Sequence, residues 1–269
     1  MRAITLCLVL FVPALPAAGG ETPWQEVAPD VRVRLISTGQ VGADNIALVG
    51  VEIDMPPTHK TYWRVPGDTG LPTELDFEGS KGILAHEILW PFPTRDETPS
   101  YLDYVYYGPT VLPIELSVDG AAPSLKLSAV LGICSDICVP ARAQFALNLW
   151  EVTPDRANAL RLRQALSLTP LPWDKEPAPI GAVAYSSETQ MLEVQVTQSE
   201  FDPLSIVAAT ASGEPMFGAP QKSPEPDLVL IPVIGKPPDL EGQPIQLIFQ
   251  SNFGAFEVSR TVSKQAEPH

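Results

Sequence analysis

Residues 125–138 read Leu-Lys-Leu-Ser-Ala-Val-Leu-Gly-Ile-Cys-Ser-Asp-Ile-Cys, an apolar-rich stretch that ends in two closely spaced cysteines. The part from Leu125 to Ile133 predicts a β-strand, and Gln144 to Glu151 predicts the next strand along the chain. Three residues between Cys134 and Cys138 are enough for a tight turn. If the flanking segments pair as a hairpin, this turn brings the two sulfur atoms within bonding distance.

Short strands of the same kind precede this stretch. Residues Val31 to Ile36 alternate apolar and basic side chains, as a half-buried strand does. Further strands are predicted at Ile46 to Ile53, Lys60 to Arg64, Gly82 to Trp90 and Thr110 to Val118. Because Pro, Gly and Asp fill the intervening turns, seven or eight short strands over about 130 residues indicate an immunoglobulin-like β-sandwich.

The pattern changes after this region. Thr153-Pro-Asp155 resembles a helix N-cap followed by proline at the first helical position, and Ala157 to Leu168 has helical periodicity. Residues 173–179 form a linker rich in charge and proline. Strands then return at Gly181 to Tyr185, Met191 to Thr197, Leu204 to Ala209, Leu228 to Ile234, Ile245 to Gln250 and Ala255 to Val262. They predict a second, smaller β-sandwich with a structural or docking role.

The N-terminus has the composition of a secretory signal peptide. One basic residue is followed by an apolar run from Ala3 to Leu15 and by small residues up to Gly20. The run is too short to cross a bilayer as a helix, which takes about 20 residues. We therefore expect a cleaved signal at 1–20, export to the periplasm and no membrane insertion. The third cysteine, Cys7, leaves with the signal.

The domain boundaries that follow are a signal peptide at 1–20, an immunoglobulin-like domain at 21–152, a helix and linker at 153–179, and a second β domain at 180–264. The formal net charge of −15 argues against a basic surface for nucleic acid or anionic membranes. The chain contains 30 Pro and 18 Gly, but 45% of its residues are apolar, so it is turn-rich and folded rather than disordered.

The cysteine pair has a structural and a chemical interpretation. A disulfide that closes so short a loop stabilises a fold by about 2 kcal/mol, against about 5 kcal/mol for a loop of about 100 residues. A purely structural bridge would therefore gain more from distant cysteines. Thiol–disulfide exchange needs an accessible sulfur and a second thiol that resolves the mixed disulfide, and Cys134 and Cys138 supply both.

Other chemistries fit the pair less well, although copper(I) bound by the two thiolates stays open. Structural zinc needs four ligands, and neither His59 nor His86 lies at ligand spacing. No histidine is tied to either cysteine as a base for nucleophilic catalysis. We expect no metal or cofactor. The polar segment from Arg95 to Tyr104, which contains Tyr101, is a candidate cover for the pair or a plain exposed connection.

Three motifs in order resemble the N-terminal periplasmic region of the DsbD/ScsB family of disulfide reductases. They are Lys60-Thr-Tyr-Trp-Arg-Val-Pro-Gly-Asp-Thr-Gly-Leu-Pro72, Leu89-Trp-Pro-Phe-Pro93 and Cys134-Ser-Asp-Ile-Cys-Val-Pro140. The resemblance covers roughly residues 25–150 and is looser beyond, although ScsB-like proteins also carry a second β domain. It implies an immunoglobulin-like domain that passes electrons through its cysteine pair.

The resemblance also implies residue roles. Cys134 and Cys138 become a redox-active disulfide, with Cys138 contacting partners. The cap-loop and active-site wall candidates are Tyr62, Trp63, Arg64, Asp96, Glu97, Tyr101 and Tyr104. Trp63 is equally well explained as a core residue.

Family members continue into a membrane-embedded domain and a thioredoxin-like domain, which this sequence lacks. We therefore expect a separate thioredoxin-like or membrane-embedded electron donor and periplasmic thiol oxidoreductase clients. The activity would be that of a protein-disulfide reductase component. The alternatives are a non-catalytic binding module with a structural disulfide, and a copper-handling protein.

Overall fold

The computed structural model of the protein describes residues 20–120, 122–150, 153–197, 201–235 and 239–264. The predicted signal peptide lies outside these residues except for Gly20. Within them the fold is nearly all β, as the sequence predicts, with an α-helix between two β units. No helix in the described ranges is long and apolar enough to cross a membrane.

The first unit is a sandwich of two antiparallel sheets. Its strands are β1 (Gln25–Ala28), β2 (Val31–Val41), β3 (Ile46–Asp54), β4 (Lys60–Gly67), β5 (Glu74–Asp76), β6 (Ile83–Ile88), β7 (Thr94–Thr98), β8 (Tyr101–Tyr107), β9 (Thr110–Val118), β10 (Ser124–Cys134) and β11 (Cys138–Asn148). One sheet has the order β1-β2-β3-β9-β6 and the other β11-β10-β4-β8-β7, with β5 beside β10.

Alternating apolar residues of both sheets meet in one core. Val33 and Leu35 of β2 are 0% exposed, and so is Leu125 of the facing β10. Fully burying an aliphatic side chain of this size stabilises the fold by about 1.5–3 kcal/mol. Because side chains alternate between the two faces of a strand, each sheet keeps a second, outer face for polar groups.

The helix α1 (Arg156–Leu166) packs against the first sheet through Leu162, which is 0% exposed. Its N-cap is Asp155, whose carboxylate accepts a hydrogen bond of 2.9 Å from the backbone N–H of Asn158. The cap therefore differs from the predicted arrangement, in which Pro154 already occupies the first helical position. The carboxylate of Asp155, two residues after Thr153, accepts from the free amide of Asn158, and the helix therefore begins after Asp155.

The second unit follows the helix. Its strands are β12 (Leu171–Pro172), β13 (Ile180–Ser186), β14 (Met191–Val196), β15 (Val207–Ala209), β16 (Met216–Phe217), β17 (Gln221–Lys222), β18 (Leu228–Ile234), β19 (Pro244–Ser251) and β20 (Gly254–Lys264). Seven of them follow the order β15-β19-β20-β13-β14-β18-β16, with β12 beside β20 and β17 beside β18, around a second hydrophobic core. The predicted strand from Leu204 to Ala209 is shorter, because Pro203–Ser205 forms a 3-10 turn capped by Asp202.

The structure also contains a hairpin that the sequence interpretation treats as a loop. Strands β7 and β8 pair from Thr94↔Val105 to Thr98↔Tyr101, so most of the segment 95–104 is regular β structure. The cause lies in residues 101–107, which are rich in tyrosine and include Val105, residue types that favour a strand.

Candidate functional site

The two cysteines close the long hairpin of β10 and β11. Cys134 and Cys138 are the last paired residues of this ladder, their Cα atoms are 4.1 Å apart, and their Sγ atoms are bonded to each other. Cys134 is 1% exposed, whereas Cys138 lies in an exposed run from Ser135 to Pro140. One cysteine of the disulfide is therefore exposed and the other is shielded by the protein.

A tyrosine contacts both sulfur atoms. The phenol oxygen of Tyr62 lies 2.7 Å from Sγ of Cys134 and 3.3 Å from Sγ of Cys138. Because a disulfide sulfur carries no proton, the phenol is the donor. Tyr62 is 0% exposed and packs with Val105 and Cys134 in a small apolar cluster.

Close packing holds Tyr62 in place. A Cβ atom added at Gly132 would lie 2.7 Å from Cδ2 of Tyr62, so only glycine lets the ring approach β10 this closely. Burial raises the pKa of Tyr62, an effect that the charge of Lys60 partly opposes. The phenol therefore stays protonated, and stays a donor, throughout the neutral range.

Charged groups lie beside the tyrosine on the same outer face. The ammonium of Lys60 is 2.6 Å from Oδ2 of Asp96 and 3.3 Å from Oδ2 of Asp103. It lies 5.0 Å from the ring centroid of Tyr101 and 5.7 Å from that of Tyr62. Asp103 is 0% exposed and also accepts hydrogen bonds from Thr69. The cluster joins β4, β7 and β8 next to the disulfide.

The cluster shifts the pKa values of its members. Burial alone would lower the pKa of Lys60, but hydrogen bonds to Asp96 and Asp103 raise it above its usual value. Burial alone would raise the pKa of Asp96, but Lys60 holds it below its usual value. Burial and the neighbouring Asp96 raise the pKa of Tyr107 to about 12. At neutral pH the cluster contains one ammonium and the Asp96 carboxylate in their charged forms.

An Asp96→Asn substitution should lower the free energy of unfolding by about 1–2 kcal/mol at neutral pH, because it removes a charged hydrogen bond to Lys60. A carboxyl with a lowered pKa stabilises the fold above its unfolded-state value of about 3.9, and this stability is lost as the pH falls through the lowered value. The difference between the variant and the wild type should therefore disappear in acid.

Urea unfolding followed between neutral and acidic pH measures this effect. The exposed Asp174 makes a matched control, and Asp174→Asn should differ from the wild type by less than about 0.5 kcal/mol throughout. A constant difference for Asp96→Asn at every pH would contradict the assignment of its stability to the ion pair.

The predicted wall residues lie in different parts of the structure. Tyr62, Asp96 and Tyr101 lie on the face of the disulfide. Trp63 and Tyr104 point the other way into the core, are each 2% exposed and meet edge to face with ring centroids 5.8 Å apart. Trp63 is therefore a core residue and does not form a wall beside the disulfide.

The remaining two wall candidates lie away from the pair. Arg64 donates to the second unit, at the carbonyl of Thr210 and the side chain of Gln246. Glu97 is exposed on the edge strand β7. Since Cys138 is exposed, the idea that the segment 95–104 covers the pair stays a prediction.

Sequence reasoning missed Lys60, Asp103 and Tyr107 as site residues. Lys60 opens the first quoted motif, and its backbone pairs with both Tyr107 and Cys134. The available signal was the alternation in β8, where Tyr101, Asp103, Val105 and Tyr107 share one face.

Exposed apolar and aromatic side chains lie next to Cys138 in the turn and on the nearby strand β8. Ile137 is 75% exposed, Val139 39% and Tyr107 45%. The histidines considered earlier lie in contacts of their own, His59 beside Thr58 and His86 stacked on Phe77 at 3.9 Å. Within the described ranges no group of three or more His, Cys, Asp and Glu side chains could hold a metal ion. The chemically distinctive feature is thus an exposed cysteine bonded to a buried, hydrogen-bonded one.

The chain is similar to a known protein family over part of its length and to a solved structure over most of it. Residues 32–149 match the family model described as thiol:disulfide interchange protein DsbD, N-terminal. No curated protein matches the chain. Among solved structures, the N-terminal periplasmic domain of ScsB from Proteus mirabilis has a TM-score of 0.73 and 22% sequence identity, covering 92% of this chain and 100% of that one.

A second solved structure, the titin Ig tandem domains, covers 82% of this chain and 89% of its own, at 10% identity and a TM-score of 0.18. That score is too low to support an argument. The ScsB match extends over both β units and shows that their fold is shared. Residues 32–149, which contain the disulfide and the side chains around it, are thus similar to the N-terminal domain family of the thiol:disulfide interchange protein DsbD.

Proposed function

We propose that the protein carries out thiol–disulfide exchange with other proteins through Cys138, with Cys134 as the resolving cysteine. The observation that carries this proposal is the difference in exposure, since Cys134 is 1% exposed and Cys138 is exposed. Exchange proceeds by attack of a thiolate along an open path to one sulfur. Only Cys138 offers such a path, and the apolar side chains around it suit contact with a protein.

The exchange takes place in two steps, each of which forms one disulfide bond and breaks another. A thiolate of a reduced dithiol donor attacks Sγ of Cys138, a mixed disulfide forms, and the bond to Cys134 breaks with Cys134 leaving as a thiolate. The donor's second thiol, as its thiolate, then attacks the mixed disulfide and releases Cys138. The donor is oxidised to its disulfide, and the cysteine pair receives two electrons. The reverse sequence, with Cys138 attacking a client disulfide, passes the electrons on.

Tyr62 assists the step in which Cys134 leaves. Its phenol already donates to Sγ of Cys134 at 2.7 Å, so it can stabilise the negative charge that develops there. The phenol is a weaker acid than a thiol, and its raised pKa widens this gap. Tyr62 therefore acts as a hydrogen-bond donor and keeps its proton.

The setting of this exchange is the periplasm. Two observations support it: the signal-peptide pattern of residues 1–20, and the description of the similar ScsB structure as a periplasmic domain. The proposed organisation is a signal at 1–20, a redox domain at 21–152, a helix and linker at 153–179 and a second β domain at 180–264. The donor is a thioredoxin-like or membrane-embedded protein, and the clients are periplasmic thiol oxidoreductases.

Reduction by a protein donor tests the proposal. We expect a reduced thioredoxin-like donor to convert the oxidised full chain to the dithiol, with alkylation at Cys134 and Cys138 detected by peptide mass spectrometry. A variant with serine at both positions is the control and should consume no donor. If the disulfide stays intact while the same donor reduces an exposed reference disulfide, the pair is a structural bridge and the binding-module alternative is favoured.

A further inference from the structure

The second β unit contacts the strands that carry the disulfide site. Arg95, the residue before Asp96 on β7, donates from one terminal nitrogen to the carbonyl of Leu204 at 3.0 Å and from the other to that of Ile206 at 3.1 Å. Leu204 lies in the 3-10 turn, and Ile206 connects this turn to β15 of the second unit. A planar guanidinium that bridges two backbone carbonyls fixes the orientation of the strand that bears it.

A second arginine makes an equivalent connection from β4. Arg64, two residues after Tyr62, donates to the carbonyl of Thr210 at 2.9 Å and to the side chain of Gln246. Gln246 in turn donates to Glu257 at 2.6 Å. The strand that holds the sulfur-contacting tyrosine is thus also tied to the second unit.

Apolar packing accompanies these polar contacts. Val207 and Ala209 of β15 and Ile248 of β19 are each 2% exposed and belong to the core cluster of the first sandwich. A core that both units share resists relative motion, in contrast to the wetter contacts between loosely joined domains. The carbonyls that accept from Arg95 therefore sit on a fixed support.

We propose that the second β unit is a positioning element for the disulfide site, which holds the Asp96 strand through Arg95 and the Tyr62 strand through Arg64. The strand β7 is the outer edge of its sheet and pairs with β8 alone. Without Arg95 it would be retained on one side only. Asp96 would then leave Lys60 part of the time, and the acidic group nearest Lys60 would move away from the disulfide.

The test uses reduction by dithiothreitol, which needs no protein partner, so a failure of the proposed exchange with other proteins would not affect the result. Arg95→Met in the full chain should raise amide exchange in residues 94–98 at least tenfold. Reduction should become about threefold faster, because removing a carboxylate favours both the incoming thiolate and the leaving one. Arg163→Met, on the exposed side of α1, is the control and should change neither.

A combination with Asp96→Asn separates positioning from general loosening. In the Asp96→Asn background, Arg95→Met should still speed amide exchange but should no longer change the reduction rate, since the two substitutions act through the same carboxylate. If Arg95→Met does not fold, Arg95→Lys, which retains one donor, should give smaller changes of the same sign. An unchanged reduction rate in folded single variants, or fully additive rates in the double variant, would overturn the proposal.

Discussion

A Cys134→Ser variant should accumulate a stable mixed disulfide with its redox partner, whereas a Cys138→Ser variant should accumulate at least about tenfold less, because exchange rates follow access to the sulfur. Cys138 is exposed, and its thiolate would remain free to attack the disulfide of the oxidised partner. Cys134 is 1% exposed beneath Tyr62 and cannot meet a partner without local opening. The measurement is non-reducing electrophoresis after mixing each variant with an oxidised partner, with the product identified by mass spectrometry.

The comparison is well controlled, because both variants lose the same short-loop disulfide and so lose the same stabilisation of about 2 kcal/mol. The introduced hydroxyl at position 134 can accept the hydrogen bond of Tyr62, which keeps the buried site satisfied. Thermal unfolding of both variants checks that they are equally folded. Equal trapping by the two variants would contradict the assignment of Cys138 as the contacting cysteine, and no trapping by either would contradict exchange itself.

The hairpin and its disulfide were predictable because the information is local. Cys134 and Cys138 are separated by three residues, and the flanking residues are apolar enough to form strands, so the turn alone brings the sulfurs together. The class of fold follows from the same kind of pattern, repeated over the chain. What lies across the sheet from the cysteines depends on strand register, which a single sequence does not specify.

Lys60 and Asp96 show this limit. They are 36 residues apart in sequence, and they meet only because β4, β8 and β7 are neighbours in one sheet. The adjacent residues Tyr62 and Trp63 show a related limit. Alternation requires that they point to opposite faces, but two aromatic residues give no indication of which one faces the core. The structure puts Trp63 in the core and Tyr62 on the sulfur atoms.

The contact between Tyr62 and Cys134 gives the second large expected effect. Tyr62→Phe removes one hydroxyl group, keeps the ring that fills the space beside Gly132, and should slow reduction of the disulfide about tenfold, since a hydrogen bond to a charged group contributes about 1.5–3 kcal/mol and only part of the charge has developed in the transition state. The rate of reduction by excess dithiothreitol, followed by the appearance of free thiols, measures the effect.

The pH dependence tests whether the phenol stays protonated during the assay. Because burial raises the pKa of Tyr62, the phenol remains a donor from neutral pH to beyond pH 9, which is about the limit of the assay. The ratio of wild-type to variant rates should therefore be constant over this range. A ratio that falls as the pH rises would mean that the phenol ionises within this range, which would contradict a pKa raised by burial.

Tyr185→Phe is the matched control for this substitution. Its hydroxyl is also buried but makes no hydrogen bond within the described part of the chain, and it lies in the second unit on β13. Removing it should leave the reduction rate unchanged and should cost no stability, because no bond is lost. If Tyr62→Phe also left the rate unchanged, the 2.7 Å contact would be a packing feature only. Lys60→Met would then test the nearest strand neighbour with a positive charge, since the backbone of Lys60 pairs with Cys134.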